Sequence, residues 1–447
     1  MSIEQSYIDI YKQYSDVLKK NSAAPMNALR DAAFESFEQK GFPTRKLEAY
    51  QYTDLKDAFS VNYGMNINRV PLKENFRCEV PGINAYLFYV VNDTFFCPKE
   101  SEKYLTELRE KGVSIGSLRD YAQDKPELVS RYYGKAAGCG KDAIIDFNTT
   151  FAQDGFFLHV PENTVIEKPI QLICVMSGNA PILGTQRNLI ILEKAAQAKM
   201  LLCAHTRGEL EQLSNRVTEV FVGENAVYDH YKLENTSSKS VSVATLNIKQ
   251  QSGSEVIVND ITLHNGLTKN RIQIDIDGEH CQTTLSGMAI GDAKQHIDNN
   301  TLINHNYPNC KSRELYKYVL NDEATGAFSG KILVEKGAYK TEAYQTDRNV
   351  IMSPTARMYT KPHLEIYADD VKCSHGASTG RIDETALFYL RSRGIPEAEA
   401  RMLLMFAFVS DVLDNIRIEA VKDKIRMLVE QRFRGELSYC SGCGACK

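Results

Sequence analysis

The sequence predicts a mainly β protein, a parallel β-solenoid between two helical regions. From about residue 140 to 380, short runs of β-branched residues alternate with Gly, Asn, Asp and Ser, and helical periodicity is absent. Within this stretch a small residue follows a turn at intervals of 30, 55, 29 and 28 residues, and 55 is close to twice 28. A fixed period of this size is typical of stacked coils that bury one face against each other. The recurring small residues are Ala196, Ala226, Cys281, Cys310 and Ala338, with a missing member expected near Gly253 and Ser254.

Evenly spaced hairpins in a β-sandwich would give a similar pattern, so the turn spacing alone does not exclude that architecture. In a solenoid, Cys281 and Cys310 are small turn residues that face inward. We therefore do not expect these two thiols to be ligands.

Local signals place elements in the N-terminal region, residues 1–135. Helix caps, glycines at helix ends and a two-residue Asn-Asp turn predict three helices and one hairpin. They are a helix from a Ser2–Gln5 capping box toward Lys20, a helix between Pro25 and Gly41, a hairpin of residues 85–91 and 94–97, and a helix from Ser101 to Gly112.

After the predicted solenoid core, residues 136–380, the pattern becomes helical. Asp383 caps a helix that Gly394 ends, and Pro396 lies in the first turn of a very apolar second helix. A third helix covers about residues 419–433. We thus expect a C-terminal helical domain over residues 381–436 and a cysteine-rich tail over residues 437–447.

Composition narrows the class of protein. The chain has 447 residues, a formal charge of −4 and 53 Lys+Arg against 57 Asp+Glu, so nucleic acid is not an expected partner. Its longest apolar run, residues 402–409, is too short to span a bilayer, and its N-terminus lacks a signal sequence. Eleven scattered cysteines argue against a disulfide framework. We expect a cytoplasmic protein.

The densest set of chemically active residues lies in residues 361–377. Cys373 and His375 are two positions apart, so on a strand they share a face with backbone positions about 6.6 Å apart. Such a pair suits a metal of Zn or Fe type, or a Cys–His nucleophile. The alternative is a strand end with a satisfied histidine and a buried cysteine.

A second candidate is the tail, where two C-x-x-C steps place Cys440, Cys443 and Cys446 within seven residues. Three thiols suit a soft metal or part of an iron–sulfur site, with a fourth ligand from elsewhere. The alternative is a disordered, redox-reactive tail. The sequence has no Walker A loop, dinucleotide fingerprint, G-x-S-x-G or H-E-x-x-H motif.

Three segments, residues 364–377, 380–383 and 387–395, resemble the SufB/SufD family of SUF iron–sulfur cluster assembly proteins. Residues 42–53 are similar to the N-terminal motif of that family, with Tyr50 where the family often has Trp. Ser374 follows Cys373 where the SufB branch usually has Glu, which favours the SufD branch. The cysteine tail is not part of the family pattern.

The resemblance implies a right-handed parallel β-helix that pairs with a SufB-like β-helix subunit. It implies that the nascent iron–sulfur cluster, or iron, is held where the two subunits meet, with His375 as candidate ligand and Cys373 as its weaker neighbour. A SufC-like ABC ATPase would bind the C-terminal helices, while reduced flavin in the assembled complex has no residues assigned to it. Candidate partner-binding residues on these helices are Arg391, Arg393, Gly394, Ile395 and Phe406.

These implications favour a scaffold subunit that is not itself an enzyme, and the isolated chain is a possible homodimer because β-helix edges favour self-pairing. One alternative is a β-helix enzyme such as a polysaccharide lyase or esterase. Another is a stand-alone metal or redox carrier that uses the tail cysteines.

Overall fold

The computed structural model describes residues 2–69 and 83–436. The N-terminal region is mostly helical with short strands. Its elements are α1 (Ile3–Lys20), α2 (Ala24–Lys40), α3 (Leu55–Phe59), β1 (Gly64–Met65), β2 (Tyr86–Val91), β3 (Thr94–Phe96), α4 (Glu102–Glu110), β4 (Ser114–Ser117), α5 (Leu118–Asp124), α6 (Pro126–Tyr132) and α7 (Ala143–Phe151).

The predicted N-terminal elements are present. Ser2 caps α1 by accepting the Gln5 backbone N–H at 3.2 Å, and Gly41 follows the last residue of α2. Strands β2 and β3 pair antiparallel around Asn92, as expected for the hairpin. Aromatic residues of α1, α2, α3 and α7 pack edge to face and fix these helices to one another.

The central region is a parallel β-solenoid, as predicted, so the β-sandwich alternative is wrong. From β5 to β20, strands with odd numbers form one sheet and strands with even numbers form the other, and each successive pair of strands makes one of eight coils. The strands are β5 (Phe156–Val160), β6 (Ile170–Met176), β7 (Ile182–Leu192), β8 (Gln197–Thr206), β9 (Gln212–Val222), β10 (Val227–Asn235), β11 (Ser240–Gln250), β12 (Glu255–His264), β13 (Leu267–Ile276), β14 (Gln282–Gly291), β15 (His296–His305), β16 (Lys311–Leu320), β17 (Thr325–Val334), β18 (Glu342–Ile351), β19 (Arg357–Ile366) and β20 (Lys372–Gly380).

The turn period has a simple physical origin. Every small residue named from the period is fully buried, including Ser254 at the missing position. Each follows a residue in the left-handed conformation, for example Asn309 (φ 62°) before Cys310 and Gly253 (φ 71°) before Ser254. The chain therefore turns the same way once per coil, and only a small side chain fits inside the turn.

Helix α7 lies inside the stretch that the sequence indicated as purely β. The Asp142 carboxylate caps it by accepting the Ile144 N–H at 2.8 Å. All nine residues of α7 are buried. Its polar residues Asp146, Asn148, Thr149 and Thr150 are buried together with its apolar ones, so no exposed polar face marks a helical period in the sequence.

The C-terminal helices α8 (Glu384–Ser392), α9 (Glu397–Asp414) and α10 (Glu419–Phe433) pack on the outer face of the even-numbered sheet. Asp383 caps α8 as predicted, while Pro396 precedes α9 rather than lying in its first turn. Lys317 ties α9 to the sheet by donating to the Phe408 carbonyl at 2.5 Å and to Asp411 at 2.7 Å. No helix within the described ranges has the length and apolar character needed to cross a membrane.

Candidate functional site

The eighth coil, strands β19 and β20, ends the solenoid, and we call it the last coil. In the part of the chain that the structure describes, β19 and β20 are the terminal strands of the two sheets, so each has a strand neighbour on one side only. Every residue from Ser374 to Gly380 is exposed, whereas the corresponding positions of β18 are largely buried. The last coil therefore presents two free strand edges, which are the usual template for pairing with another chain.

The structure places Cys373 and His375 on β20 as predicted, but in different environments. Cys373 lies beside the buried Ala343, packs on the core and is half-buried, and burial raises the pKa of its thiol. His375 lies beside Gln345 and is exposed. His375 is therefore the more available ligand of the two, and a protonated thiol at Cys373 is a poor nucleophile.

Polar side chains that the sequence reasoning missed lie behind His375, inside the previous coils. Glu314, Gln345 and His375 form a column across three neighbouring strands, β16, β18 and β20. Asp347 occupies the neighbouring inward position of β18. The three positions are 31 and then 30 residues apart, about one coil period, but only the strand register shows that they are aligned.

Burial governs the charge state of both inner carboxyl groups. It raises the pKa of Glu314 to about 7, although hydrogen bonding to Gln345 opposes the shift. It raises the pKa of Asp347 to about 6, against hydrogen bonds from Thr360 and Asn349. Both groups thus change charge close to neutral pH.

The outer face of β19 carries a separate, half-buried set of polar groups. His363 is 3.0 Å from the Glu365 carboxylate, and Lys331 is 2.7 Å from the same group. The ring of Tyr359 stacks on that of Tyr52 from the N-terminal region at 4.9 Å. This face therefore attaches the N-terminal region to the last coil.

The predicted partner-binding residues lie where α8 turns into α9. Arg391 pairs with Glu397 at 3.3 Å, Arg393 lies over the Tyr389 ring, and Gly394 takes the left-handed conformation (φ 87°) that ends α8. Ile395 and Phe406 are partly buried against neighbouring helices. They contribute more to packing than to an open surface.

Exposed apolar side chains on these two helices were missed. Phe388 is 73% exposed, Tyr389 56% and Leu403 39%. Large apolar groups left in water on adjacent helices are typical of a protein-binding surface. We call these three residues, two aromatic and one aliphatic, the aromatic ridge.

Cys440, Cys443 and Cys446 lie outside the described residues, so their role as metal ligands stays a prediction. In residues 2–69 and 83–436, no group of three or more His, Cys, Asp or Glu side chains has an arrangement that holds a metal ion. We assign no residues to reduced flavin, which also stays a prediction.

Fold and site together define the class: a parallel β-solenoid with an exposed last coil and an exposed aromatic ridge on its terminal helices. Two family models match this chain. One, described as "SUF system FeS cluster assembly, SufBD core domain", covers residues 175–408, and the other, "SufBD protein N-terminal region", covers residues 1–172. The chain belongs to the SufBD family of iron–sulfur cluster assembly proteins.

Three curated relatives each match most of this chain. The chain is 29% identical over 415 residues to the iron–sulfur cluster assembly SufBD family protein slr0076 of Synechocystis, covering 90% of each protein. It is 25% identical over 398 residues to the iron–sulfur cluster assembly protein SufD of Escherichia coli, covering 88% of this chain and 90% of that protein. SufD of Bacillus subtilis is 27% identical over 332 residues, which cover 73% of this chain and 76% of that protein.

Proposed function

We propose that this protein is a SufD-like scaffold subunit, not itself an enzyme, that supports cluster assembly in a complex with a SufB-like solenoid and a SufC-like ATPase. The observation that carries the proposal is the last coil, whose two free edges and exposed His375 lie on one surface. Homology to SufD proteins supports the same role.

The last coil is suited to pairing with a second solenoid. The inner faces of both sheets end there, and β20 carries only small side chains beyond His375, so another backbone can approach closely. Pairing would extend both sheets and cover the exposed end. When the SufB-like subunit is absent, the same edges favour a homodimer.

His375 is proposed as the ligand that this chain contributes to iron or to the nascent cluster, which is the cargo of the complex. Its ring is exposed at the surface proposed for pairing, so a second chain can supply further ligands. Cys373 is a weaker candidate because it is half-buried and its thiol pKa is raised.

The aromatic ridge is proposed as the surface that binds the ATPase. The exposed apolar groups of the ridge lie on α8 and α9, and α9 is fixed to the solenoid by Lys317. Movement of an ATPase on the ridge would thus be transmitted to the even-numbered sheet, which includes β20.

Replacing His375 by alanine tests the assignment. Histidine and alanine are both tolerated at this exposed position, so we expect the free energy of unfolding to change by less than about 0.5 kcal/mol. We expect the complex to assemble normally but to yield several-fold less cluster, measured as iron and acid-labile sulfide after anaerobic purification.

The matched control is His363→Ala, which removes a histidine from the outer face of the last coil. It should leave cluster yield unchanged. Equal yields from the wild type and the His375 variant would contradict the proposal, and a metal carrier that depends on the tail would then become the better account.

A further inference from the structure

Arg216 on β9 is buried inside the solenoid without a carboxylate partner. It is 4% exposed, and its Nε donates to Oε1 of Gln186 at 3.1 Å. In the described part of the chain, its two terminal nitrogens donate no hydrogen bond, and no Asp or Glu forms an ion pair with it. Burying a cation without a counter-charge is costly, so this charge needs an explanation.

The acid that shares a cavity with Arg216 is held by a lysine. Asp260 lines this cavity, and both of its carboxylate oxygens are 3.2 Å from Nζ of Lys232. Lys232 also lies 3.3 Å from Glu234. Burial raises the pKa of the Asp260 carboxyl, although Lys232 and, more weakly, Arg216 oppose the shift. Asp260 is therefore the partner of Lys232 and lies beyond ion-pair distance of Arg216.

A second cavity lies at the corner where β8 leads into β9, and Arg216 is the only Lys, Arg, Asp or Glu in its lining. Its volume is about 20 Å³, enough for one particle of the size of a water molecule. Burial lowers the pKa of His205 in the lining to about 4, so its ring is neutral. Five hydroxyl groups also line the cavity, those of Thr206, Ser214, Thr236, Ser240 and Ser242. The cavity thus combines one positive charge and several hydroxyl groups with no carboxylate.

Three of these side chains enter the cavity from neighbouring positions of the odd-numbered sheet. Leu213 and Val243 pack outward on the N-terminal helices, so Ser214, Arg216 and Ser242 face the interior. Ser214 and Arg216 are two positions apart on β9, about 6.6 Å along the strand, and Ser242 on β11 is the register partner of Ser214. No hydrogen bond within residues 2–69 and 83–436 involves either serine hydroxyl, so both can donate to a ligand.

We propose that Arg216, Ser214 and Ser242 form a site for one small monovalent inorganic anion such as chloride. The anion supplies the counter-charge that the chain lacks, and the guanidinium and the two hydroxyls donate hydrogen bonds to it. Oε1 of Gln212 is the one buried oxygen of the lining without a partner, and a water beside the anion would donate to it. Because the cavity is small, we expect it to exclude organic anions such as gluconate.

The first test compares thermal unfolding of the full-length protein in sodium chloride and in sodium gluconate at equal ionic strength. An anion that binds only the folded state raises the midpoint of unfolding, so we expect a chloride-dependent gain in the wild type. Arg216→Gln removes the only charge in the cavity and should lose this gain. The control Arg313→Gln, on the exposed outer face of β16, should keep it. Comparing the two variants removes general effects of the two salts.

The second test locates the anion directly. Bromide resembles chloride and is identified in crystals by its anomalous X-ray scattering. In crystals of the full-length protein grown in sodium bromide, we expect one peak within about 3.5 Å of the Arg216 guanidinium and of the two serine hydroxyls. Ser242→Val keeps the charge but removes a donor and fills space, so it should lower the bromide occupancy. This variant keeps the inference testable if Arg216→Gln does not fold.

Three results would overturn the inference: no chloride-dependent gain in the wild type, an equal gain in Arg216→Gln, or a water in place of bromide in the cavity. None of them bears on the scaffold role. The cavity is lined by residues of the first four coils, whereas His375 lies in the last coil. The anion site and the proposed function therefore stand or fall separately.

Discussion

At the scale of single residues, buried charges fix the helical N-terminal region to the solenoid. Glu219 on β9 is fully buried, pairs with Arg187 at 2.6 Å and accepts backbone N–H groups from Gly134, Ala136 and Ala137 at 2.9 to 3.0 Å. Arg187 in turn lies 4.8 Å from the centre of the Tyr133 ring. One carboxylate thus joins the loop after α6 to two neighbouring strands.

Removing the charge of Glu219 should be strongly destabilising. Glu219→Gln leaves the Arg187 guanidinium buried without a counter-ion, so we expect a loss of about 3–5 kcal/mol in the free energy of unfolding. Urea unfolding followed by circular dichroism measures it. The exposed pair of Lys12 and Glu38, 2.6 Å apart, gives the control: Glu38→Gln should cost less than about 1 kcal/mol. Similar losses in the two variants would show that burial of the pair is not the cause.

Glu314 should make stability depend on pH. Burial raises its folded-state pKa to about 7, above the ordinary 4.5, so the folded protein holds an extra proton between these values and loses stability as pH rises through this range. Glu314→Gln removes this contribution, and the variant should gain up to about 3 kcal/mol relative to wild type between about pH 5 and pH 8. The buried His305, whose pKa is lowered to about 4, is common to both proteins and cancels in the difference. The free energy of unfolding of both proteins is measured by urea unfolding at each pH. If the two values change with pH in parallel, the account is contradicted.

At the scale of elements, the last coil differs from every earlier coil because nothing in the described residues continues it. Its exposed β20 contains Gly376 and Gly380, and a Cβ added at either position would meet no atom within 4 Å. Small residues here are not required by packing within the chain. Their position is explained if another backbone approaches this strand.

A lysine at Gly376 should therefore leave folding intact and prevent pairing, since charged side chains on edge strands block strand addition. We expect Gly376→Lys to change unfolding by less than about 0.5 kcal/mol and to lose association with the SufB-like subunit or with a second copy, measured by sedimentation. The control Gln13→Lys adds the same charge on the exposed face of α1, far along the chain from β20. Undisturbed association of the Gly376 variant would show that β20 is not the interface.

Much of the element order was predictable because its signals are local. Caps such as Ser2 and Asp383, the glycine after α2 and the coil period all act within a few residues or one turn. Helix α7 was not predictable, because its polar and apolar residues are all buried and no exposed polar face marks it. The sequence also indicated His375 and Cys373 as a matched pair, whereas the inner column behind them depends on strand register, which pattern alone does not give.

At the scale of the whole molecule, the two ends of the solenoid have different coverings. The N-terminal end is closed by the β2–β3 hairpin and by β4. The last coil is open, and the aromatic ridge lies on helices packed against the even-numbered sheet that ends in β20. In the proposed complex, one chain would thus present a surface for a second solenoid and a surface for an ATPase, both attached to the same solenoid core.

The most direct test of the scaffold role is anaerobic purification of tagged full-length protein from its native cells, with partner stoichiometry and iron content measured together. We expect one SufBD-family solenoid partner and an ABC ATPase to co-purify in stoichiometric amounts, and the iron content to fall in the His375→Ala variant. Recovery of the chain alone, with iron that is lost when Cys440, Cys443 and Cys446 are deleted, would contradict the scaffold role.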